Sequence, residues 1–356
     1  MSPVDCGANW LSKLADWRYI RGMELDQPVE QAAAEGDPSA MTMVGKLALI
    51  GQAGARSAAD GTKLLIAAAE KGSAEADSVI SVLIAVDAKE QRDWSLALGY
   101  LQRAAERGWQ LAREQLCLLA SDKDLAQAVQ TGQSGNAVWE HLRDTIDIPA
   151  LLSVPQTHLQ FGRPRIAILV GVANRAECDW MIRQCRKRLA PARVYDWQTG
   201  QGDIHSSRTN SAVQFNILDT DFVLALLRAR ISLATGFARA SFEETNLLHY
   251  AVGQEFRRHF DCFDPALATS AEEIRVKGQR AATFLIYLND EFEGAETDFP
   301  SLGWRHKGGT GDALFFMNVD ETSRPDRLTL HAGLAPTSGE KWLLSQWIRG
   351  VPGAGL

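Results

Sequence analysis

The sequence predicts an α+β chain in which stacked helices precede a compact antiparallel β domain, a sandwich or jelly roll braced by helices. Three observations predict it: glycines recurring every 36 residues in the first part, an abrupt change of composition after Asp144, and a succession of short strand-like segments in the last part. At 356 residues and 46% hydrophobic, the chain exceeds the usual size of one domain and can fill two cores.

The first part, to about Leu142, is rich in Ala, Leu, Glu, Lys and Gln at helical spacing. It repeats itself as AAAEG at 32–36, AAAEKG at 67–72 and AAERG at 104–108, which sets Gly36, Gly72 and Gly108 at intervals of 36. Small residues before a glycine, and Ala again after it (Ala40, Ala74, Ala112), suit helix pairs: alanine lets helices approach, and glycine ends a helix in a left-handed cap. Over residues 27–120 the pattern resembles an α-solenoid of the Sel1-like or tetratricopeptide kind, with a plain helical bundle as the alternative. Residues 1–142 are assigned to this domain. Such arrays present a concave face that binds other proteins, and a short one can equally brace a neighbouring domain.

The text changes at IDIPALLSVP, which places the boundary within 143–160 and assigns 143–356 to the second domain. PRIAILVGV reads as a strand because its run is apolar and β-branched. ANRAECDWMIRQCRKRL reads as an amphipathic helix that buries Cys178, Met181 and Cys185 and leaves Arg183, Arg186 and Lys187 in solvent. DFVLALLRARISLATG is a second helix. LLHYAVG, EFRRHFD, ATFLIYLND, DALFFMNV, RLTLHAG and KWLLSQWIR follow as short strands, the arrangement of a sandwich or jelly roll. Trp342, Trp347, Phe315 and Phe316 are expected in its core, and His141, His158 and His205 in helical or loop text at the surface.

Composition excludes several classes. The 44 acidic against 37 basic residues give a net charge of −7 without the Lys/Arg runs that track a phosphate backbone, so nucleic acid is not expected as a partner. No apolar run reaches the roughly 18 to 20 residues that span a bilayer. Met1 to Ile20 lacks the basic start, apolar centre and small-residue site of a secretory signal. The five cysteines (Cys6, Cys117, Cys178, Cys185, Cys262) are dispersed and without a CxxC pair, which reads as reduced thiols in the cytoplasm.

His259 and Asp261 stand one residue apart in strand-like text, so alternation aims both at one face. His331, in another strand-like run, is the candidate third ligand. Two imidazoles and a carboxylate on one face of an ion leave positions open, as Fe(II) oxygenases require; zinc hydrolases use the same ligand types.

The surrounding blocks YAVGQEFRRHFD, RAATFLIYLNDEFEGAETDFP, GDALFFMN and LHAGLAPTSGEKWLLSQWIRG resemble, in order and spacing, those of the prolyl 4-hydroxylase family of 2-oxoglutarate oxygenases. The resemblance spans about residues 145–350, with AECDWMI and SSRTN as its echoes before Tyr250. It implies a jelly-roll (double-stranded β-helix) oxygenase domain with His259, Asp261 and His331 as metal ligands. It implies Lys341, ten residues after His331, as partner of the distal carboxylate of 2-oxoglutarate, where a buried dicarboxylate needs a cation. Tyr250, Tyr287 and Thr297 match positions lining the co-substrate pocket, and Arg208 resembles an arginine near the substrate channel. The implied cofactors are Fe(II), 2-oxoglutarate and O₂, with ascorbate as reductant. The implied reaction hydroxylates a C–H bond and releases succinate and CO₂. Asp261 stands where related halogenating enzymes carry a small residue, which favours hydroxylation.

Two departures stand out: Gly294-Ala295 replaces the usual Gly-Gly, and RTNSAVQF replaces RTS followed by glycine. The second borders the substrate, so two substrates are expected: a prolyl or similar residue in a protein or peptide that the helical repeats help to hold, or a small molecule or natural-product intermediate. A repeat-based interaction protein with a silent oxygenase domain is the third reading, opposed by the presence of all three ligands and the lysine. His249 and His306 are not needed by this scheme.

Overall fold

The computed structural model describes residues 27–353, apart from 89–90, 131–134, 197–200 and 204; Met1 to Ile20 and Cys6 lie outside the described residues. The chain divides into two compact units, Met1–Ile148 with Ile217–Phe222, and Pro149–Asn216 with Val223–Leu356.

The first unit is helical: α1 (Gln27–Glu35), α2 (Pro38–Leu49), α3 (Ala58–Glu70), α4 (Ala74–Asp87), α5 (Gln91–Glu106), α6 (Gln110–Leu119), α7 (Lys123–Gln130) and α8 (Asn136–Asp144). Gly36, Gly72 and Gly108 have φ of +89°, +97° and +94°. Each donates its N–H three residues back, to Ala33, Ala69 and Ala105, while the next residue donates five back, to Ala32, Ala68 and Ala104. This double bond pattern is the Schellman cap, which needs a residue free of the Cβ penalty at positive φ. The alanine equivalent to Ala40 and Ala112 is Ala76, four residues after its glycine, rather than Ala74; all three are at most 1% exposed. Asp37 and Ser73, one past the glycines, cap α2 and α4 by accepting from Ala40 N and Ala76 N, whereas Trp109 caps α6 without a side-chain bond.

Each helix packs on the next, most closely α2 on α3 and α4 on α5. A Cβ on Gly45 would come within 2.9 Å of Gly61 O, and one on Gly61 within 2.6 Å of Gly45 O. One period later the same crossing is made by Ser81 and Ala97, with the Ser81 hydroxyl donating to Ala97 O at 2.7 Å. The period is therefore written in the helix crossings as well as in the caps. Asp77, fully buried in α4, is neutralised by Arg103 and by Arg107.

After a turn at α9 (Ile148–Leu151), the second unit contains β1 (Thr157–Phe161), β2 (Ile166–Leu169), α10 (Arg175–Cys185), β3 (Ala190–Pro191), β4 (Val194–Asp196), β5 (Gln201–Asp203), β6 (Ser211–Phe215) and α11 (Phe222–Thr235). It continues with β7 (Thr245–Tyr250), β8 (Phe256–His259), α12 (Ala268–Lys277), β9 (Arg280–Tyr287), β10 (Phe292–Gly294), β11 (Thr297–Phe299), β12 (Trp304–His306), β13 (Ala313–Met317), β14 (His331–Gly333), β15 (Pro336–Gly339) and β16 (Lys341–Arg349). An eight-stranded sheet runs β1-β2-β13-β9-β16-β7-β6-β3 and a four-stranded one β12-β11-β14-β8, with β10-β15 and β4-β5 as separate pairs. The pairings are antiparallel.

Between the sheets lies one apolar core, in which Phe292 and Phe299 meet Leu285, Leu314, Phe316 and Leu343. The other face of the large sheet is covered by helices. Arg186, just past α10, lies over the Trp342 ring, and Arg228 of α11 donates to Thr245 Oγ1 and Gln346 Oε1. A buried Glu177–Arg230 pair joins α10 to α11, and Arg230 also donates to Val172 O. Three expected elements differ. His158 lies in β1. The EFRRHFD strand ends at His259, so Asp261 falls just beyond it. RLTLHAG is a 3₁₀ turn, Arg327–Thr329, followed by β14. No helix of the described residues is long and apolar enough to cross a membrane.

The Gly45–Gly61 crossing sets two opposed effects against each other. Gly→Ala inside a helix ordinarily gains about 0.5–1 kcal/mol, but overpacking costs about 1–3 kcal/mol. Gly61→Ala should lower the calorimetric melting temperature, while Gly99→Ala in α5, where a Cβ meets nothing within 4 Å among the described residues, should hold or raise it. Equal shifts for the two would contradict the close crossing.

Candidate active site

The register of the four-stranded sheet places His331 directly opposite His259. Directly opposed side chains project to the same face, and here the two ring centroids are 4.3 Å apart. The turn after β8 delivers Asp261 between them, its Oδ1 3.5 Å from His259 Nε2 and its Oδ2 3.7 Å from His331 Nε2. One ligand atom from each residue lies within 4.8 Å of the others. The common side thus comes from a strand end plus a turn, not from the alternation that the sequence implies.

Local hydrogen bonds set the rings. His259 Nδ1 lies 2.8 Å from Arg257 O and His331 Nδ1 2.9 Å from Thr329 O. A carbonyl can only accept, so each Nδ1 is a donor, which leaves Nε2, on the side of Asp261, as the nitrogen available to a metal. Burial, reinforced by the neighbouring His259, pushes the His331 imidazolium down to about 4, against the pull of Asp261, so the ring is neutral near pH 7. Burial alone would raise the Asp261 carboxyl; the imidazoles of His331 and His259 and the Thr283 hydroxyl outweigh it and hold it far below the usual carboxylate range. Two imidazole nitrogens and a carboxylate are a donor set that one divalent ion can share.

Sequence reasoning missed the residues that hold Asp261. Thr283 Oγ1 donates to Asp261 Oδ2 at 2.6 Å, and Asn318 Nδ2 donates to Thr283 Oγ1 at 2.9 Å, all buried. Their signal was present: each is a lone polar residue in an apolar strand run, ATFLIY and ALFFMN. Apolar rings frame the rest, with Phe299 and Phe316 against His331 and Phe256 stacked on His259 at 3.5 Å.

Arg208 continues that stack, with its guanidinium 4.5 Å from the Phe256 ring centre. Arg208 Nε donates to Asn210 Oδ1 at 3.1 Å, so the asparagine of the RTN departure anchors the arginine.

The remaining predicted residues gather around Lys341. Its Cα pairs with Tyr250 on β7, and its Nζ lies 5.6 Å and 5.3 Å from the Tyr250 and Tyr287 ring centres. The Tyr287 hydroxyl is 3.0 Å from Thr297 Oγ1. Lys341 is fully buried, and among the described residues its hydrogen bond goes to a neutral acceptor, Ala295 O, at 2.5 Å. Ala295 has φ of +58°, so the residue replacing glycine presents that carbonyl from a backbone region that costs a non-glycine roughly 1–2 kcal/mol. Burial pushes the Lys341 ammonium down to about 7, with Glu296 opposing. A buried cation whose hydrogen bond goes to a neutral carbonyl is suited to a carboxylate ligand. The two clusters share β14: Gly333, two residues after His331, pairs with Thr297, and a Cβ there would meet the Tyr250 hydroxyl at 3.2 Å.

His249 points to the other face, 2.8 Å from Glu340 and packed on Trp342.

A three-residue metal-binding set and a buried lysine, on a two-sheet antiparallel framework, define the class as a metal-dependent enzyme whose site suits an acidic ligand. A model of the 2OG-Fe(II) oxygenase superfamily matches residues 245–349. The chain is similar to Prolyl 4-hydroxylase 13 of Arabidopsis thaliana, 30% identical over 221 residues that cover 58% of this chain and 78% of that one. It is similar to Prolyl 4-hydroxylase 2 of the same plant, 28% identical over 208 residues, 52% and 68% of the two chains. Among solved structures it is similar to the 2OG complex of viral collagen prolyl hydroxylase from Paramecium Bursaria Chlorella virus-1, with 27% identity, 52% and 96% coverage and a TM-score of 0.40. The chain belongs to the prolyl 4-hydroxylase-like family of 2-oxoglutarate- and Fe(II)-dependent dioxygenases. Its cofactors are Fe(II), 2-oxoglutarate and O₂.

Thr283→Val removes the donor to Asp261 and keeps the shape. Loss of such a supporting bond typically costs 10–100-fold in metal affinity, so anaerobic Fe(II) titration should show binding weaker by at least about tenfold, and the melting temperature of the metal-free protein should fall as well because Asn318 Nδ2 and Asp261 lose a buried partner. Unaltered affinity would mean that Asp261 needs no support.

Proposed function

We propose that the chain hydroxylates a prolyl or similar residue in a protein or peptide, with His259, Asp261 and His331 holding Fe(II). Lys341, Tyr250, Tyr287 and Thr297 hold 2-oxoglutarate, and Arg208 borders the substrate. When bound, iron and 2-oxoglutarate supply oxygen activation coupled to conversion of the co-substrate to succinate and CO₂. The residues do the rest. The backbone carbonyls of Arg257 and Thr329 keep the imidazoles in the ligating tautomer, Thr283 orients the carboxylate, and Lys341 neutralises the distal end of the dicarboxylate. The phenyl rings of Phe299 and Phe316 keep water from His331.

The substrate reading is carried by the 30% identity extending across 78% of a prolyl 4-hydroxylase, well beyond the metal-binding strands. The two sheets correspond in this reading to a jelly roll, and the helices of residues 1–142 to a Sel1-like solenoid that holds the substrate or braces the catalytic domain. The recurrence of Schellman caps and small-residue crossings at 36 residues supports the solenoid. A small-molecule substrate is the second reading, favoured by Asn210 standing where the loop near Arg208 departs from the family pattern.

Incubation of the iron-loaded protein with 2-oxoglutarate and proline-containing peptides should add one oxygen atom to a prolyl residue for each succinate formed, as read by mass spectrometry. Turnover stimulated by small metabolites and by no peptide would favour the second reading. The state of Lys341 makes a further expectation. With its ammonium at about 7 in the ligand-free protein, anion binding must draw a proton onto it as pH rises above that value. Affinity for 2-oxoglutarate should therefore fall above about pH 7 by up to about tenfold per pH unit, and Lys341→Met should bind weakly and flatten the profile. A wild-type affinity independent of pH up to about pH 9 would contradict this role.

A further inference from the structure

The wall formed by Thr297 and Tyr287 contains a buried polar atom that this scheme leaves unused. His306 ends β12 directly opposite Thr297 on β11, so the imidazole and the threonine hydroxyl share a face of the sheet. Tyr287 ties the two together. Its hydroxyl lies 3.0 Å from Thr297 Oγ1 and donates to the backbone oxygen of His306 at 3.3 Å, and its ring meets the imidazole edge-on, 5.5 Å between centroids at 82°. Trp304, two residues earlier on the same face of β12, stacks on the imidazole at 5.6 Å and is itself anchored against Phe299 and Phe161. The ring is thus held in place by aromatic neighbours.

His306 Nε2 is buried and has no hydrogen-bond partner among the described residues. A buried polar atom left unpaired costs free energy that a bound ligand can restore. Burial holds the His306 imidazolium below its ordinary range, Asp312 opposing and the charge of Lys341 adding to the effect, so the neutral ring has one N–H to offer and lies within the field of the same lysine.

We propose that His306 is a further contact for the co-substrate, its imidazole N–H donating to the distal carboxylate of 2-oxoglutarate alongside Lys341 and Thr297. This rests on the co-substrate reading given above and extends it to a residue that the sequence blocks do not single out. Its role is to bind one end of the co-substrate; it is not placed at the metal.

The test is anaerobic calorimetric titration of the full-length Fe(II)-loaded protein with 2-oxoglutarate and with 2-oxopentanoate, which carries a methyl group in place of the distal carboxylate. Wild type, His306→Val, His306→Gln and Lys341→Met are compared. His306→Val should bind 2-oxoglutarate about tenfold more weakly, His306→Gln should recover part of that loss through its amide N–H, and 2-oxopentanoate should bind wild type and His306→Val alike. Iron affinity should not change. The proposal is overturned if His306→Val binds 2-oxoglutarate as the wild type does, or if it loses affinity for both acids equally, which is the mark of a packing role. If Lys341→Met also leaves 2-oxoglutarate binding intact, the co-substrate reading itself fails and this proposal with it.

Discussion

The antiparallel pairing of β14 with β8 is the constraint on which the rest of this site depends. It sets His331 opposite His259 across a single strand interval and brings together two residues that are seventy-two positions apart in the chain. Because side-chain direction alternates along a strand, a slip of one residue would turn His331 to the opposite face and dissolve the cluster. The register is held from several sides. β14 also pairs with β11, Phe299 and Phe316 pack on His331, and the absence of a Cβ at Gly333 admits the Tyr250 hydroxyl.

The same framework accounts for the buried lysine. An ammonium at zero exposure is unfavourable unless its surroundings are fixed and a counter-charge arrives. β16 lies at the centre of the large sheet between β9 and β7, so Lys341 cannot swing to solvent. Tyr250 and Tyr287 offer ring faces to it, and Ala295 turns a carbonyl toward it from a left-handed backbone position. The free energy stored in this arrangement is available to an anionic ligand. Arg186, just past α10, on Trp342 and Arg228 of α11 on Gln346 cover the reverse face of the sheet.

What was legible in the sequence followed from short-range chemistry. The HxD pair, the distant histidine and the lysine ten residues beyond it stand out by residue type and spacing, and the glycine period announces its helix caps. What was not legible depended on which strands become neighbours. Thr283 and Asn318 look like ordinary strand residues until β9 lies beside β13 and the turn after β8 brings Asp261 to them. Strand ends were misread for a related reason: Phe260 and Asp261 continue the alternating pattern of β8, yet the chain leaves the sheet at His259 because the pairing with β14 stops there. Ala76 was displaced to Ala74 in the repeat because AEA offers two equivalent small residues, and only the helix crossing distinguishes them.

The central claim is that the β8–β14 pairing assembles an Fe(II) site in reach of bound 2-oxoglutarate. The most direct measurement is anaerobic titration of the metal-free, full-length protein with Fe(II) and 2-oxoglutarate, following the visible charge-transfer band of the iron–2-oxo acid chelate, in wild type and in His331→Ala. The account predicts a band that saturates in the wild type and is lost in the variant. A folded wild type that shows no band, or a band of equal strength in the variant, would contradict it.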